Sequence, residues 1–272
     1  MSRDFMNETG PITQTRGSQL KKKEVSLDAE NLGRTSRALL LGLTVVAFVL
    51  AGAAERYRGR PFHDSVYHGG PQKIPGRVQC AYYDLGGEGV AYHDTDAKNK
   101  GSGTLNPADG SYLNEFRMHE GVDTSYTKYH DDVDENPYEA VHPPKDQLYV
   151  GWTDPGEWFN MTVKIEHAGR YHVGLLYTSK RGATISLALK GKDVSGPIKI
   201  ETTYNAADPI AWRQWHHWNY AKNLATITLP KGTNVLTLRI ESEGNMTACT
   251  NICRRSACTS SYPLHRRSYL AS

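Results

Sequence analysis

Between about residue 73 and residue 246, apolar and polar side chains alternate in short runs broken by turn-forming residues. The stretch 183–189 reads ATISLAL and is followed by the turn signal KGKD. The stretches 224–229 (LATITL) and 235–240 (VLTLRI) flank Pro230, Lys231, Gly232 and Thr233, which predicts a hairpin. A second hairpin is predicted from 158–165 and 171–177 around Ala168 and Gly169, and residues 198–204 form a further strand candidate. A period of two puts one side of each run in a core and the other in water. No helical period runs for ten residues in this region. Many short strands with turn residues between them predict an all-β fold, a β-sandwich or barrel. Residues 84–117 and 124–147 read as long loops, where a rigid sandwich usually carries its ligand contacts.

The rest of the chain is patterned differently. Residues 1–37 form a polar leader with no periodicity, expected to be disordered. Residues 38–54 (ALLLGLTVVAFVLAGAA) are uncharged and end in small residues, which fits either a signal peptide or a single transmembrane anchor. Either reading exports the chain beyond residue 54, so the expected location is secreted, or membrane-anchored with the sandwich outside. Residues 55–72 read as a linker.

Composition excludes several classes. The chain has 272 residues, 38% hydrophobic, with only 4 Cys, so it is neither a wholly disordered chain nor a disulfide scaffold. Tyr (16) and Trp (5) together far outnumber Phe (5), a bias that suits both sheets and wet ligand surfaces. The net charge of +3 comes from the ends. Residues 1–60 carry ten Lys/Arg against six Asp/Glu, residues 247–272 carry four Arg and no acid, and the body between them is net acidic. A nucleic-acid partner needs cations clustered on the folded domain, so none is expected.

Several phrases in the body add up in order and spacing. They are Ile74-Pro75-Gly76-Arg77, then 86–96 (GGEGVAYHDTD), Phe116-Arg117, and 120–123 (EGVD). Next come 150–153 (VGWT), 156–158 (GEW), 212–215 (WRQW) and 229–232 (LPKG). Together they resemble the family 6 carbohydrate-binding modules over about 170 residues. The resemblance implies a lectin-like β-sandwich jelly roll over 73–246, binding a polysaccharide or oligosaccharide without catalysis. It implies that sugar rings stack on Phe116 and Trp212, with Arg117, Tyr204 and Trp218 as helpers. Trp215 is expected in the core, and Trp152 and Trp158 are expected to pack in or beside strands. Two other readings stand beside it: a glycoside hydrolase or lyase on the same fold, and a structural or adhesive surface protein whose cleft is lost.

Three features depart from the family pattern. Structural calcium is common in that family, yet its acidic ligands are missing at Gln79 and Ala81, so the metal ligands are unknown. Glu88, Asp94, Asp96, Glu120 and Asp123 are the acids left to build another site. The loops near 98–115, 124–147 and 205–220 are longer, which would reshape the cleft. From 247 on there is no alternating apolar run, and Cys249, Cys253 and Cys258 appear with four Arg. Residues 247–272 are therefore expected to be an atypical, disordered tail in place of the last strand, as a change of reading frame would produce. The cysteine spacing matches a zinc site poorly. No GxSxG, HExxH or phosphate-cradling loop is present.

Overall fold

The computed structural model describes residues 56–129, 133–243 and 246–254, and for 246–251 the backbone only. The leader and the apolar run 38–54 lie outside the described residues, as does the tail beyond 254. Among the described residues no helix is long and apolar enough to cross a membrane.

Thirteen strands follow one another among the described residues. They are β1 (Gln72–Ile74), β2 (Gly76–Gln79), β3 (Tyr92–His93), β4 (Thr124–Tyr126), β5 (Leu148–Val150), β6 (Trp158–Ile165) and β7 (Gly169–Thr178). After these come β8 (Ala183–Leu189), β9 (Lys192–Asp193), β10 (Ile198–Ile200), β11 (Asn219–Leu229), β12 (Gly232–Ser242) and β13 (Met246–Cys253). One sheet runs β1-β6-β12-β8-β10, with β3 on β6 and β9 on β8. The other runs β11-β7-β13-β5-β4, with β2 on β13. The all-β sandwich expected from the alternation is thus present. Its core joins Val163, Ile165, Leu187, Leu236 and Leu238 of the first sheet to Val173, Leu175, Ile227 and Ile252 of the second.

Four expectations need correction. Neither predicted hairpin exists: β6 and β7 belong to different sheets, and so do β11 and β12. Alternation shows that a strand has one buried face, and it does not choose the partner. Here the turns at 166–168 and 230–231 hand the chain across the sandwich, side by side, since Gly169 pairs with Leu229 and Gly232 with Ile165. The segment 55–72 is not a free linker from Tyr57 on. Tyr57 donates its hydroxyl to Asp84 (2.8 Å), Arg60 pairs with Leu85, and Phe62 is buried in an aromatic cluster. Lastly, 246–253 is a strand and not the start of a disordered tail. It lies between β7 and β2, and Thr247 also pairs with β5. A central strand is held by main-chain hydrogen bonds on both edges, so weak side-chain alternation does not prevent it. The sheet edge that a missing last strand would leave open is therefore filled. Cys253, at its end, is disulfide-bonded.

Candidate functional site

The outer face of the second sheet is covered by a small second core of Val141, Tyr149, Leu176, Trp218 and Tyr220. Trp152 and Trp215 pack onto it from outside. Two segments, 133–142 and 203–218, form this cover, and buried charges tie them down. Asp134 accepts from the Trp218 indole N–H (2.6 Å) and bonds His216 Nε2 (2.7 Å). Asp208 is buried and takes two hydrogen bonds from Arg213, through Nε (2.7 Å) and Nη2 (3.0 Å). The same carboxylate bonds His217 Nε2 (2.9 Å). Burial alone would raise the Asp208 carboxyl. The bonds from Arg213 and His217 and the Arg213 charge outweigh it and hold the group well below the usual range. Tyr138 bridges the two segments, donating its hydroxyl to the Ala207 carbonyl (2.9 Å).

On this braced loop stand Tyr204 and Trp212. Four large hydrophobic side chains are exposed among the described residues, and these two, 47% and 55% exposed, are the aromatic ones. The rest of the loop fixes their backbone. Asn205 N–H donates to Gln214 O (2.7 Å), Tyr204 Oη donates to Gln214 Oε1 (3.0 Å), and the Trp212 ring meets His216 edge-on at 6.5 Å. The two exposed rings thus stand on a loop tied down by the buried Asp208–Arg213 ion pair and the Asp134–His216 hydrogen bond.

A cleft of about 350 Å³ opens beside the base of this loop. It is lined by Trp152, Thr153 and Asp154 after β5, by Lys180 and Arg181 between β7 and β8, and by Lys100 and Glu243. Thr202 links cleft and loop: its hydroxyl donates to the Lys180 carbonyl (2.8 Å) and accepts the Tyr204 N–H (3.0 Å). Trp152 turns into the cleft lining at a left-handed φ of 48°, a conformation that costs a bulky residue of order 1–3 kcal/mol. Its ring lies against Gly101, where any Cβ would collide with the Thr124 carbonyl oxygen. Sequence reasoning placed Trp152 as a packing residue. It does pack, but it also lines the cleft, and alternation could not have shown a side chain aimed by a left-handed residue just past a strand end.

The other predicted contacts are placed elsewhere. Phe116 is 3% exposed, enclosed by Phe62, Tyr82 and Tyr112. Arg117 is buried beside it, with its guanidinium 3.3 Å from the centre of the Tyr83 ring. It donates to Asp84 O (2.9 Å), Tyr83 O and Glu120 (2.8 Å). Trp218 is fully buried. None of these three side chains is placed to touch a ligand, because each already has its partners inside the protein. Of the five predicted residues, only Tyr204 and Trp212 share one exposed loop.

The acids do not assemble a metal centre. At the position where the family resemblance places calcium ligands, Gln79 Oε1 accepts from Gln147 Nε2 (2.8 Å), and the Gln79 N–H donates to Gln72 Oε1 (2.7 Å). Ala81 is buried. Neutral amides bonded to one another do not fit a hard cation that wants several charged oxygens. Glu88 is paired with His93 and Glu120 with Arg117, while Lys100 lies between Asp96 and Asp123. Among the described residues no three His, Cys, Asp or Glu converge as metal ligands. Burial, with the neighbouring carboxylates, raises Asp94 to about 7 and Asp123 to about 6.

Glu139 gives the cover a pH signature. Burial, reinforced by Asp134 and Glu135, lifts its carboxyl to about 9. Between its ordinary value of 4.5 and about 9 the folded chain holds a proton that the unfolded chain has lost. Its contribution therefore lowers stability progressively as pH rises through that window. Glu139→Gln is expected to flatten the fall by up to ~1.4 kcal/mol per pH unit, read from denaturant melts at pH 5–9. Equal slopes for variant and wild type would show that Glu139 is ionised in the fold.

Comparison with known proteins yields structures only. No family profile and no curated protein matches the chain. A carbohydrate-binding module of the lichenase 5A from Cellvibrio mixtus, solved with cellotriose, is similar at 16% identity and a TM-score of 0.35. That likeness covers 50% of this chain and 88% of the module. A β-1,3-glucan-binding module from Bacillus halodurans is similar at 12% identity and a TM-score of 0.39, over 67% of this chain and 98% of the module. An arabinoxylan arabinofuranohydrolase from Bacillus subtilis, solved with cellotetraose, is similar at 11% identity and a TM-score of 0.40. Here 69% of this chain matches 28% of the enzyme.

Proposed function

We propose that this chain binds a polysaccharide or oligosaccharide without cleaving it, through Trp212 and Tyr204 together with the Trp152 cleft. The observation that carries the reading is the pair of exposed rings on one loop braced by the buried Asp208–Arg213 and Asp134–His216 pairs. A sugar ring offers a C–H face to an aromatic plane and hydroxyls to polar neighbours, and a few fixed polar groups beside aromatic surface suit both. The cleft supplies donors at Lys180 and Arg181 and acceptors at Asp154 and Glu243. Its volume lies at the small end of ligand sites, about the size of one or two sugar units. An exposed Trp212 also weighs against a structural role with the cleft lost, which would have buried that ring. The apolar run 38–54 supports export of the sandwich, secreted or anchored.

The test is retention of the full-length chain on a polysaccharide panel, with the bound glycan recovered and sized. Binding that needs Trp212 and leaves the chain length of the glycan unchanged is the expected result. Shortened glycan would move the reading to a hydrolase or lyase.

A further inference from the structure

The cations around the cleft are not equivalent. Lys100 pairs with Asp96 and with Asp123 (3.8 Å), and the charge of Asp154 acts on it as well. It is neutralised where it stands. Arg181 meets Glu243 most closely through Nε (2.6 Å), and no hydrogen bond from its terminal nitrogens to the protein is found among the described residues. Lys180 has no ion pair there either, although its backbone is fixed by Thr202. Both side chains are exposed and line the cleft. Adjacent residues in the β7–β8 turn thus present an ammonium and the free edge of a guanidinium to whatever the cleft holds. A neutral sugar hydroxyl satisfies one such donor weakly. A carboxylate offers two oxygens, matches the guanidinium edge, and forms charge-assisted bonds about twice as strong as neutral ones.

We infer that the cleft selects a saccharide bearing a carboxylate, a uronic-acid-containing chain, with Lys180 and Arg181 as the specificity-determining residues. This rests on the carbohydrate-binding reading and narrows it. The acids of the cleft leave room for it. Glu243 is held by Arg181, and the charge of Asp154 acts on Lys100.

Two uronate probes test it by titration calorimetry on the full-length chain: a glucuronoxylan fragment and an oligogalacturonate, each also with its carboxyl groups reduced to alcohols. At least one acid form is expected to bind ~10-fold tighter than its reduced form, as hydrogen bonds to charged groups allow. That preference should shrink as salt rises to about 0.5 M. Lys180→Ala combined with Arg181→Ala should erase the preference, lowering affinity for the acid form about tenfold more than affinity for the reduced form. Equal affinity for acid and reduced forms overturns the inference. So does Trp212-dependent binding of neutral glycans with no binding of either acid probe. Failure to bind any glycan, acid or neutral, would instead overturn the carbohydrate-binding reading beneath it.

Discussion

Asp208→Ala is expected to lower stability by about 3–5 kcal/mol, the range seen when one partner of a buried ion pair is removed. Asp208 is fully enclosed, and its two oxygens serve Arg213 twice and His217 once. Without it, Arg213 keeps a charge in a nearly dry position, at 5% side-chain exposure. The segment 205–214 would relieve that by opening, and Trp212 would lose its fixed position. Saccharide binding should therefore fall with stability in this variant, measured by chemical denaturation and calorimetry on the same preparation. Asp208→Asn keeps an acceptor for Arg213 and should cost less than Asp208→Ala. If both variants melt like wild type, the loop is held by something other than its buried charge.

Phe116→Ala separates two accounts of the binding surface. The family resemblance puts a sugar on this ring, and the structure puts it inside a cluster with Phe62, Tyr82 and Tyr112. Truncating a buried Phe typically costs 3–5 kcal/mol, and roughly that loss is expected here. Affinity for saccharide, measured under conditions where the variant is folded, should stay at the wild-type value. A variant with an intact melting curve and lost affinity would return Phe116 to the site and require the 57–70 segment to move off it.

Much of the fold was legible because alternation survives in the sequence. The runs 158–165 and 183–189 coincide with β6 and β8, 171–177 lies within β7, and 224–229 and 235–240 mark only about half of β11 and β12. Their pairing was not, since each predicted hairpin turn is a crossing between sheets, and a period of two is the same in either case. β13 was missed because its place between β7 and β2 depends on main-chain pairing with strands distant in sequence. The site was legible where chemistry is local. The Trp-rich loop 205–220 announces itself by composition, and Trp212 and Tyr204 stand exposed on it or just before it. Arg117 was unreadable because its role is set by a left-handed φ of 53° that turns the guanidinium onto Tyr83. Trp152 was unreadable for the same kind of reason, being aimed by backbone conformation and not by strand alternation.

The central claim is that a ring held out by the Asp208 and Asp134 braces meets a sugar. Trp212→Ala tests it most directly, because that side chain is 55% exposed and its removal should leave the melting temperature within about 1 °C of wild type. The measurement is the affinity of the full-length chain and this variant for whichever polysaccharide the panel identifies. The expected result is a loss of about 30-fold or more, the size of a central contact residue worth at least ~2 kcal/mol. Unchanged affinity in a variant that folds normally would contradict the account and place the ligand somewhere other than the 203–218 loop.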